Sequence, residues 1–183
     1  KIFLEDRYGY TENTFFDIFD FPIVQGPAKN PFGPGLTAIL SESTAKKYFG
    51  NENPIGQSIS FRDTTVLVSG VMKDFPASSS LQFDMLFSME LQKFRGNGKW
   101  RNIDQDWSNA DYATFALMKP GSDRARASKI IREGMLKARE DAGVEGFPFR
   151  PLKDIYLYKS DGSKGRAEMV EIFFIVGIFI LLI

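Results

Sequence analysis

Carboxylates are the first candidates for acid–base chemistry in this chain, whose 183 residues include neither histidine nor cysteine. Zinc sites built on His or Cys, Ser-His-Asp and Cys-His relays, and imidazole switches are therefore excluded. Two adjacent carboxylate pairs remain, Glu5–Asp6 and Glu140–Asp141. They could act as acid and base only in a buried cleft that shifts one pKa, and solvated surface is the expected location of both.

Two short motifs resemble ligand-binding loops but lack essential residues. Asp104-x-Asp106-x-Ser108 copies the start of a calcium loop, yet Asn109 and Phe115 stand where glycine and a bidentate glutamate belong. The Gly98-Lys99 pair lacks the first glycine and the Ser or Thr of a phosphate-binding loop. We therefore predict no catalytic residue, no metal and no cofactor.

The stretch from Gln92 to Asp111 is polar, without periodicity, and contains both tryptophans, Trp100 and Trp107. Long irregular loops tend to be functional, and indole rings commonly anchor interfaces. Trp100 and Trp107 are therefore candidate partner contacts. The alternative is that both rings fold back over a β layer.

Composition narrows the class of protein. Basic and acidic residues balance at 23 each, which argues against a nucleic-acid partner. The 43% hydrophobic and 25% charged content is ordinary for a globular chain. A domain without thiols is also compatible with an oxidising space outside the cytoplasm.

Local signals predict the elements in the first two thirds of the chain. Asn13 is expected to cap a short helix. Thr37–Leu40 indicates a strand, after which Ser41 caps a helix over Glu42–Phe49 that Gly50 terminates. Alternating and β-branched residues then predict a hairpin and a further apolar segment, over residues 57–61, 65–71 and 81–89.

Tyr112–Met118 predicts a strand, and Ser122 or Asp123 is expected to cap the clearest helix of the chain. The apolar stripe of this helix comprises Ala127, Ile130, Ile131, Gly134, Met135 and Ala138. Its basic residues are Arg124, Arg126, Lys129, Arg132, Lys137 and Arg139. This basic face is either solvated, with Glu133, Glu140 and Asp141 as local partners, or bound to an anionic partner such as a lipid headgroup. A strand over Asp154–Tyr158 would complete an α+β subdomain.

The run from Ile172 to Ile183 is apolar without interruption. It is too short to cross a bilayer, which takes about 20 residues, and predicts the first half of a transmembrane helix. A buried element of a soluble protein is the alternative. The chain begins at Lys1 without a signal-peptide pattern, so we expect an extramembrane domain of a longer membrane protein.

Three blocks together resemble a known family: Asn13–Pro22, Ile39–Gln57 and Val68–Pro76. Their order and spacing are similar to those of the MacB-type periplasmic core domain of FtsX-like ABC transporter permeases. Asp74–Asp84 and Pro151–Leu157 are similar to the variant found in Bacteroidetes-like bacteria.

The resemblance implies an α+β fold with a porter-like α+β subdomain and an inserted β-rich subdomain, followed by the start of a transmembrane helix. The ranges expected by analogy are 1–35 and 112–159 for the porter-like parts, with the N-terminal portion missing, 36–111 for the insert, 160–171 for a hinge and 172–183 for the truncated helix.

The resemblance also implies a function in the inner membrane, with this domain on the periplasmic side. The domain itself is expected not to be an enzyme. Its partners would be a cytoplasmic ABC ATPase, a second permease copy, inner-membrane lipid and a periplasmic protein. The domain would then couple ATP-driven helix movement to cargo or partner handling. The alternatives are the ectodomain of a membrane-anchored sensor or binding protein, and a soluble enzyme that uses carboxylates.

Overall fold

The structure, a computed structural model, describes residues 3–95, 112–138, 147–159 and 163–182. The chain divides into two compact units, Lys1–Leu117 and Met118–Ile183. The elements of the first unit are β1 (Tyr8–Thr11), α1 (Phe15–Ile18), β2 (Ile23–Gln25), β3 (Thr37–Ser41), α2 (Glu42–Phe49), β4 (Ser58–Phe61), β5 (Thr64–Met72), β6 (Met85–Ser88) and α3 (Met89–Arg95). Those of the second are α4 (Arg124–Ala138), a 3-10 turn (Leu152–Asp154) and α5 (Arg166–Leu181).

The first unit is a mixed α/β fold built on a six-stranded sheet with the order β1-β6-β3-β5-β2. The pairs β1–β6 and β3–β5 are parallel, and β6 runs antiparallel to β3. The strand β4 pairs with the first half of β5, and β2 pairs with its last two residues, both antiparallel. The hairpin predicted from the alternating residues is therefore confirmed as β4 and β5.

The core lies on both faces of this sheet, since all five residues of β3 are buried. On one face Leu40 and Phe87 pack with Ala45 of α2. On the other, Ile39 and Leu86 pack with the aromatic side chains of α1 and the loop that follows it, including Phe15. Burial on both faces explains why β3 shows a continuous apolar run rather than alternation.

The helix α2 begins and ends where its sequence predicts. The Ser41 hydroxyl accepts a hydrogen bond from the Thr44 N–H at 3.3 Å, which satisfies one donor of the first turn. At the other end Gly50 adopts φ 64°, and its N–H donates to the Lys46 carbonyl. The left-handed backbone at this position favours glycine.

A carboxylate from a distant part of the sequence also caps α2. Asp74 follows β5 and accepts hydrogen bonds from the N–H of Ser43, at 3.0 Å, and from its hydroxyl. Burial tends to raise the pKa of Asp74, but the hydrogen bonds from the Ser43 side chain and backbone outweigh it, and the net pKa is lowered. Ser43 belongs to the Ile39–Gln57 block and Asp74 to Val68–Pro76, so two of the blocks meet at this cap.

Replacing Asp74 by alanine is expected to lower the free energy of unfolding at pH 7 by about 1 kcal/mol, as the loss of a helix cap does. Because the folded pKa lies below the unfolded value, the contribution of the charged carboxylate is complete above about pH 4–5 and is lost as the pH falls further. Urea titrations at pH 7 and pH 3 should show the gap between parent and variant closing in acid. The exposed Asp20→Ala is the control, and a gap that persists at pH 3 would contradict the assignment.

The short helix α1 corrects the prediction that Asn13 caps it. The cap residue is Thr14, and no side chain supplies a capping hydrogen bond. The Asn13 carboxamide oxygen instead accepts from the backbone N–H of Phe32 at 3.0 Å. Phe32 is 2% exposed, so its backbone N–H needs an acceptor within the protein. The Asn13 oxygen supplies that acceptor and is therefore not used to cap the one-turn helix.

Two predicted strands do not form. Residues 112–118 are described but make no strand pairing, and Phe115 packs edge-on against Phe19 at 5.0 Å between centroids. Residues 154–158 form turns that continue from the 3-10 turn rather than a strand. The prediction of a helix capped by Asp123 is confirmed, since its carboxylate accepts from the N–H groups of Ala125 and Arg126.

Candidate functional site

The helix α5 ends the described chain and exposes most of its apolar surface. It spans Arg166–Leu181, about 24 Å at 1.5 Å per residue, and so begins six residues before the apolar run. Phe173, Phe174 and Phe179 are each 64–69% exposed. Within the part of the chain that the structure describes, no helix is both long and apolar enough to span a membrane. Such a surface nevertheless calls for a non-aqueous neighbour, since burying one large apolar side chain is worth about 1.5–3 kcal/mol.

The N-terminus of α5 is held by backbone hydrogen bonds to the segment before it. The Leu157 carbonyl accepts from the N–H of Gly165 at 3.1 Å and of Ala167 at 3.0 Å. Lys159 donates its N–H to the Ser163 carbonyl at 2.9 Å, and Tyr158 pairs with Lys164 as an antiparallel bridge. We call these segments, residues 156–159 and 163–171, the junction. Its backbone bonds satisfy donors that a helix start leaves unpaired.

Side chains reinforce the junction on its outer surface. The Lys164 ammonium group lies 2.6 and 2.8 Å from the two carboxylate oxygens of Glu171, one turn and more along α5. The hydrogen bond to Glu171, followed by the attraction of the same carboxylate, raises the pKa of Lys164. The Arg166 guanidinium lies 4.4 Å from the centre of the Tyr156 ring, a cation–π contact. Both contacts are exposed and orient α5 more than they stabilise it.

Gly165 allows the closest approach in the junction. A Cβ at this position would lie 3.1 Å from the Leu157 carbonyl oxygen and 3.5 Å from the Lys159 side chain. The first of these neighbours is backbone and cannot rotate away. A side chain at position 165 would push this carbonyl by a few tenths of an ångström, so glycine favours the close approach of the start of α5 to residues 157–159.

Two cavities in the first unit are each lined by one carboxylate. One, of about 360 Å³, is lined by Tyr10, Glu12, Phe15, Phe19 and Phe115 among others, with Glu12 as its single carboxylate. The other, of about 300 Å³, lies beside Tyr8, Tyr48, Phe61 and Arg62, and its one carboxylate, Glu5, pairs with Lys47. Neither is lined by two carboxylates, the arrangement that the alternative of a carboxylate enzyme predicts.

Burial, and next the nearby Glu5 carboxylate, raises the pKa of Tyr48 to about 12, so this phenol stays neutral at ordinary pH. Among the described residues, no group of three or more Asp and Glu side chains is placed to hold a metal ion.

The sequence-based site candidates fall elsewhere. Trp100 and Trp107 lie outside the described residues, as do residues 160–162 of the predicted hinge. The junction contacts could not be found from composition, because Ser160–Gly165 is rich in serine and glycine. One argument did point to an ordered segment here. A folded unit can move together with a helix only if the residues that join them are ordered.

Comparisons with known proteins concern mainly the first two thirds of the chain. A family model described as MacB-like periplasmic core domain matches residues 6–133. No curated protein matches the sequence. Among solved structures, a domain of a putative permease protein from Porphyromonas gingivalis is similar, with 25% identity and a TM-score of 0.55, over 76% of this chain and 61% of that one.

Two further solved structures match at lower similarity. The periplasmic region of MacB from Actinobacillus actinomycetemcomitans has 18% identity and a TM-score of 0.44, over 69% of this chain and 53% of that one. The extracellular domain of the noncanonic ABC-type transporter YknZ from Gram-positive bacteria has 17% identity and a TM-score of 0.43, over 69% and 63%. The chain thus spans less than two thirds of each of these three structures.

Proposed function

The chain belongs to the family of MacB-like periplasmic core domains, and we propose that it is the extracytoplasmic part of an ABC transporter permease. In this role it couples ATP-driven movement of transmembrane helices to the handling of cargo or of a partner outside the inner membrane. The junction carries the proposal, because it ties a helix with exposed apolar side chains to a folded unit.

The mechanical argument starts from stiffness. A serine- and glycine-rich linker without contacts would let helix and body move independently. Here the Leu157 carbonyl accepts hydrogen bonds from Gly165 and from Ala167 in the first turn of α5. A displacement of α5 therefore pulls on the backbone of residues 157–159. Each such hydrogen bond contributes about 0.5–1.5 kcal/mol, and the set acts together because all its members must break for the helix to detach.

The other parts of the machine follow from the proposed role. A separate cytoplasmic ATPase supplies the energy, and a second permease copy supplies the opposing domain. The run from Ile172 enters the inner membrane as the start of a longer helix, with residues 160–171 at the hinge. Trp100 and Trp107 contact a periplasmic partner. The division into porter-like parts 1–35 and 112–159 around an insert 36–111 belongs to the same proposal.

The test is to isolate the complete protein that contains this chain from membranes and to identify what accompanies it. We expect an ATP-hydrolysing subunit in fixed stoichiometry, retained after washing in high salt. Isolation of an unrelated membrane protein from the same cells is the control. If the intact protein is isolated repeatedly without any ATP-hydrolysing subunit, the result would favour a sensor ectodomain and contradict the transporter role.

A further inference from the structure

The helix α4 has an apolar side on which two isoleucines are exposed and Ala127 is half-buried among the described residues. At 3.6 residues per turn, Ala127, Ile130, Ile131 and Gly134 share one side of the helix. Ile130 is 58% and Ile131 43% exposed. A Cβ added at Gly134, near the middle of this side, would meet no atom within 4 Å. We call these four residues the α4 apolar face.

A different side of α4 makes its contact within the second unit. The Ser128 hydroxyl donates to the Phe147 carbonyl at 2.6 Å, which fixes the segment at Phe147 along the flank of the helix. On the 100° per residue spacing of a helix, Ile131 lies about 60° and Ile130 about 160° from Ser128. The helix is thus held through Ser128, while Ile130 and Ile131 remain exposed.

The charges around the α4 apolar face have one dominant sign. The helix carries five basic side chains and one acidic side chain, Glu133. The Glu133 carboxylate lies 3.9 Å from the Lys129 ammonium group. On the helical projection Arg126 and Lys137 follow the border next to Ile130, where their long stems can cover apolar surface while the charged ends reach outward.

We propose that α4 lies on an anionic phospholipid surface, with Ile130 and Ile131 at the acyl-chain boundary and the flanking Arg and Lys side chains on headgroup phosphates. A helix with large apolar residues on one side and Arg and Lys beside them binds such an interface. The inference rests on the proposed function, because α5 belongs to the same unit as α4 and its insertion in the membrane keeps that unit beside the lipid surface. An acidic protein surface is the competing occupant.

The absence of cysteine from the chain makes a site-specific test direct. The full chain is reconstituted as three single-cysteine variants, Ile131→Cys, Glu133→Cys and Phe174→Cys, each carrying a spin label. In vesicles of phosphatidylcholine with added phosphatidylglycerol, the label at 131 should collide several-fold more with lipid-dissolved oxygen than with an aqueous nickel complex. The label at 133, on the polar side, should do the reverse, and the label at 174 should lie in lipid with or without phosphatidylglycerol.

A double substitution tests whether basic side chains are needed for the lipid contact of α4. Replacing both Arg126 and Lys137 by glutamine should weaken the lipid contact at 131 about tenfold, since each basic residue near an anionic surface contributes a several-fold effect. Glu133→Gln is the matched control and should leave that contact unchanged or strengthen it. The label at 174 should be insensitive to both.

The outcomes separate the two proposals. A label at 131 that stays in water while the label at 174 lies in lipid overturns the α4 proposal alone. A label at 131 shielded from both collision reagents shows a protein occupant and also overturns it. A label at 174 that stays in water shows that α5 does not enter the membrane, and both this inference and the proposed function then fail.

Discussion

Replacing Gly165 by valine is expected to detach α5 from the unit that carries it while leaving the rest of the fold intact. The added side chain would start 3.1 Å from the Leu157 carbonyl oxygen and push this oxygen away, so we expect both hydrogen bonds that it accepts, from residues 165 and 167, to be lost. Two hydrogen bonds at about 1 kcal/mol each correspond to a factor of about 30 in the ratio of attached to detached junction.

Hydrogen exchange at the Ala167 and Lys159 amides measures this ratio directly, and both should exchange about 30-fold faster in the variant. In the complete transporter an intact junction moves α5 together with the rest of its unit, so the distance between spin labels on α5 and α4 should stay constant on ATP binding in the parent and change in the variant. Gly177→Val is the matched control, because a Cβ at Gly177 meets no described atom within 4 Å. Faster exchange together with an α5–α4 distance that still does not respond to ATP would show that force does not pass through the junction, and unchanged exchange would contradict the expected clash at position 165.

Replacing Phe87 by alanine is expected to lower the free energy of unfolding of the first unit by about 3–5 kcal/mol. Phe87 is 0% exposed and lies in β6, between β1 and β3. Its ring centre is 4.3 Å from that of Phe61 and 5.8 Å from that of Tyr10. Truncation leaves a cavity that the surrounding sheet can fill only in part. Against a typical total of about 5–15 kcal/mol, the loss is a large fraction of the stability.

Urea denaturation followed by circular dichroism, with detergent present to cover α5, measures the change. Phe94→Ala is the control, because Phe94 lies seven residues further on in α3 and is 66% exposed. Its replacement should change the free energy of unfolding by no more than about 0.5 kcal/mol. Equal effects of the two substitutions would contradict the placement of Phe87 at the centre of the core.

Local signals were sufficient wherever an element is stabilised by residues close to it in sequence. The cap at Ser41, the left-handed Gly50 and the cap at Asp123 each act within one helical turn, and all three predictions are confirmed. Short strands were harder, because their pairing depends on a distant partner. β1 was missed although it pairs in register with β6, whose first residue, Met85, lies opposite Tyr8.

The same reasoning explains the wrong predictions and the unforeseen contacts. Residues 112–118 have the composition of a strand, but a strand exists only where another offers hydrogen-bonding groups, and no described strand pairs with them. Asn13 has the chemistry of a cap, yet a buried N–H from Phe32 competes for it. The junction depends on the carbonyl of Leu157, a backbone group whose direction no side-chain pattern reveals.

The borders of the sheet have a consequence for how the domain behaves at high concentration. One border is β1, with four residues, and the other is divided between β4, with four, and β2, with three and an irregular register. Long, flat, unpaired edges recruit strands from other molecules and seed fibrils. These borders are short and interrupted, so a neighbouring chain finds few consecutive backbone groups to copy. As far as the described residues define it, the sheet therefore resists growth by strand addition through the shortness of its edges rather than through charge.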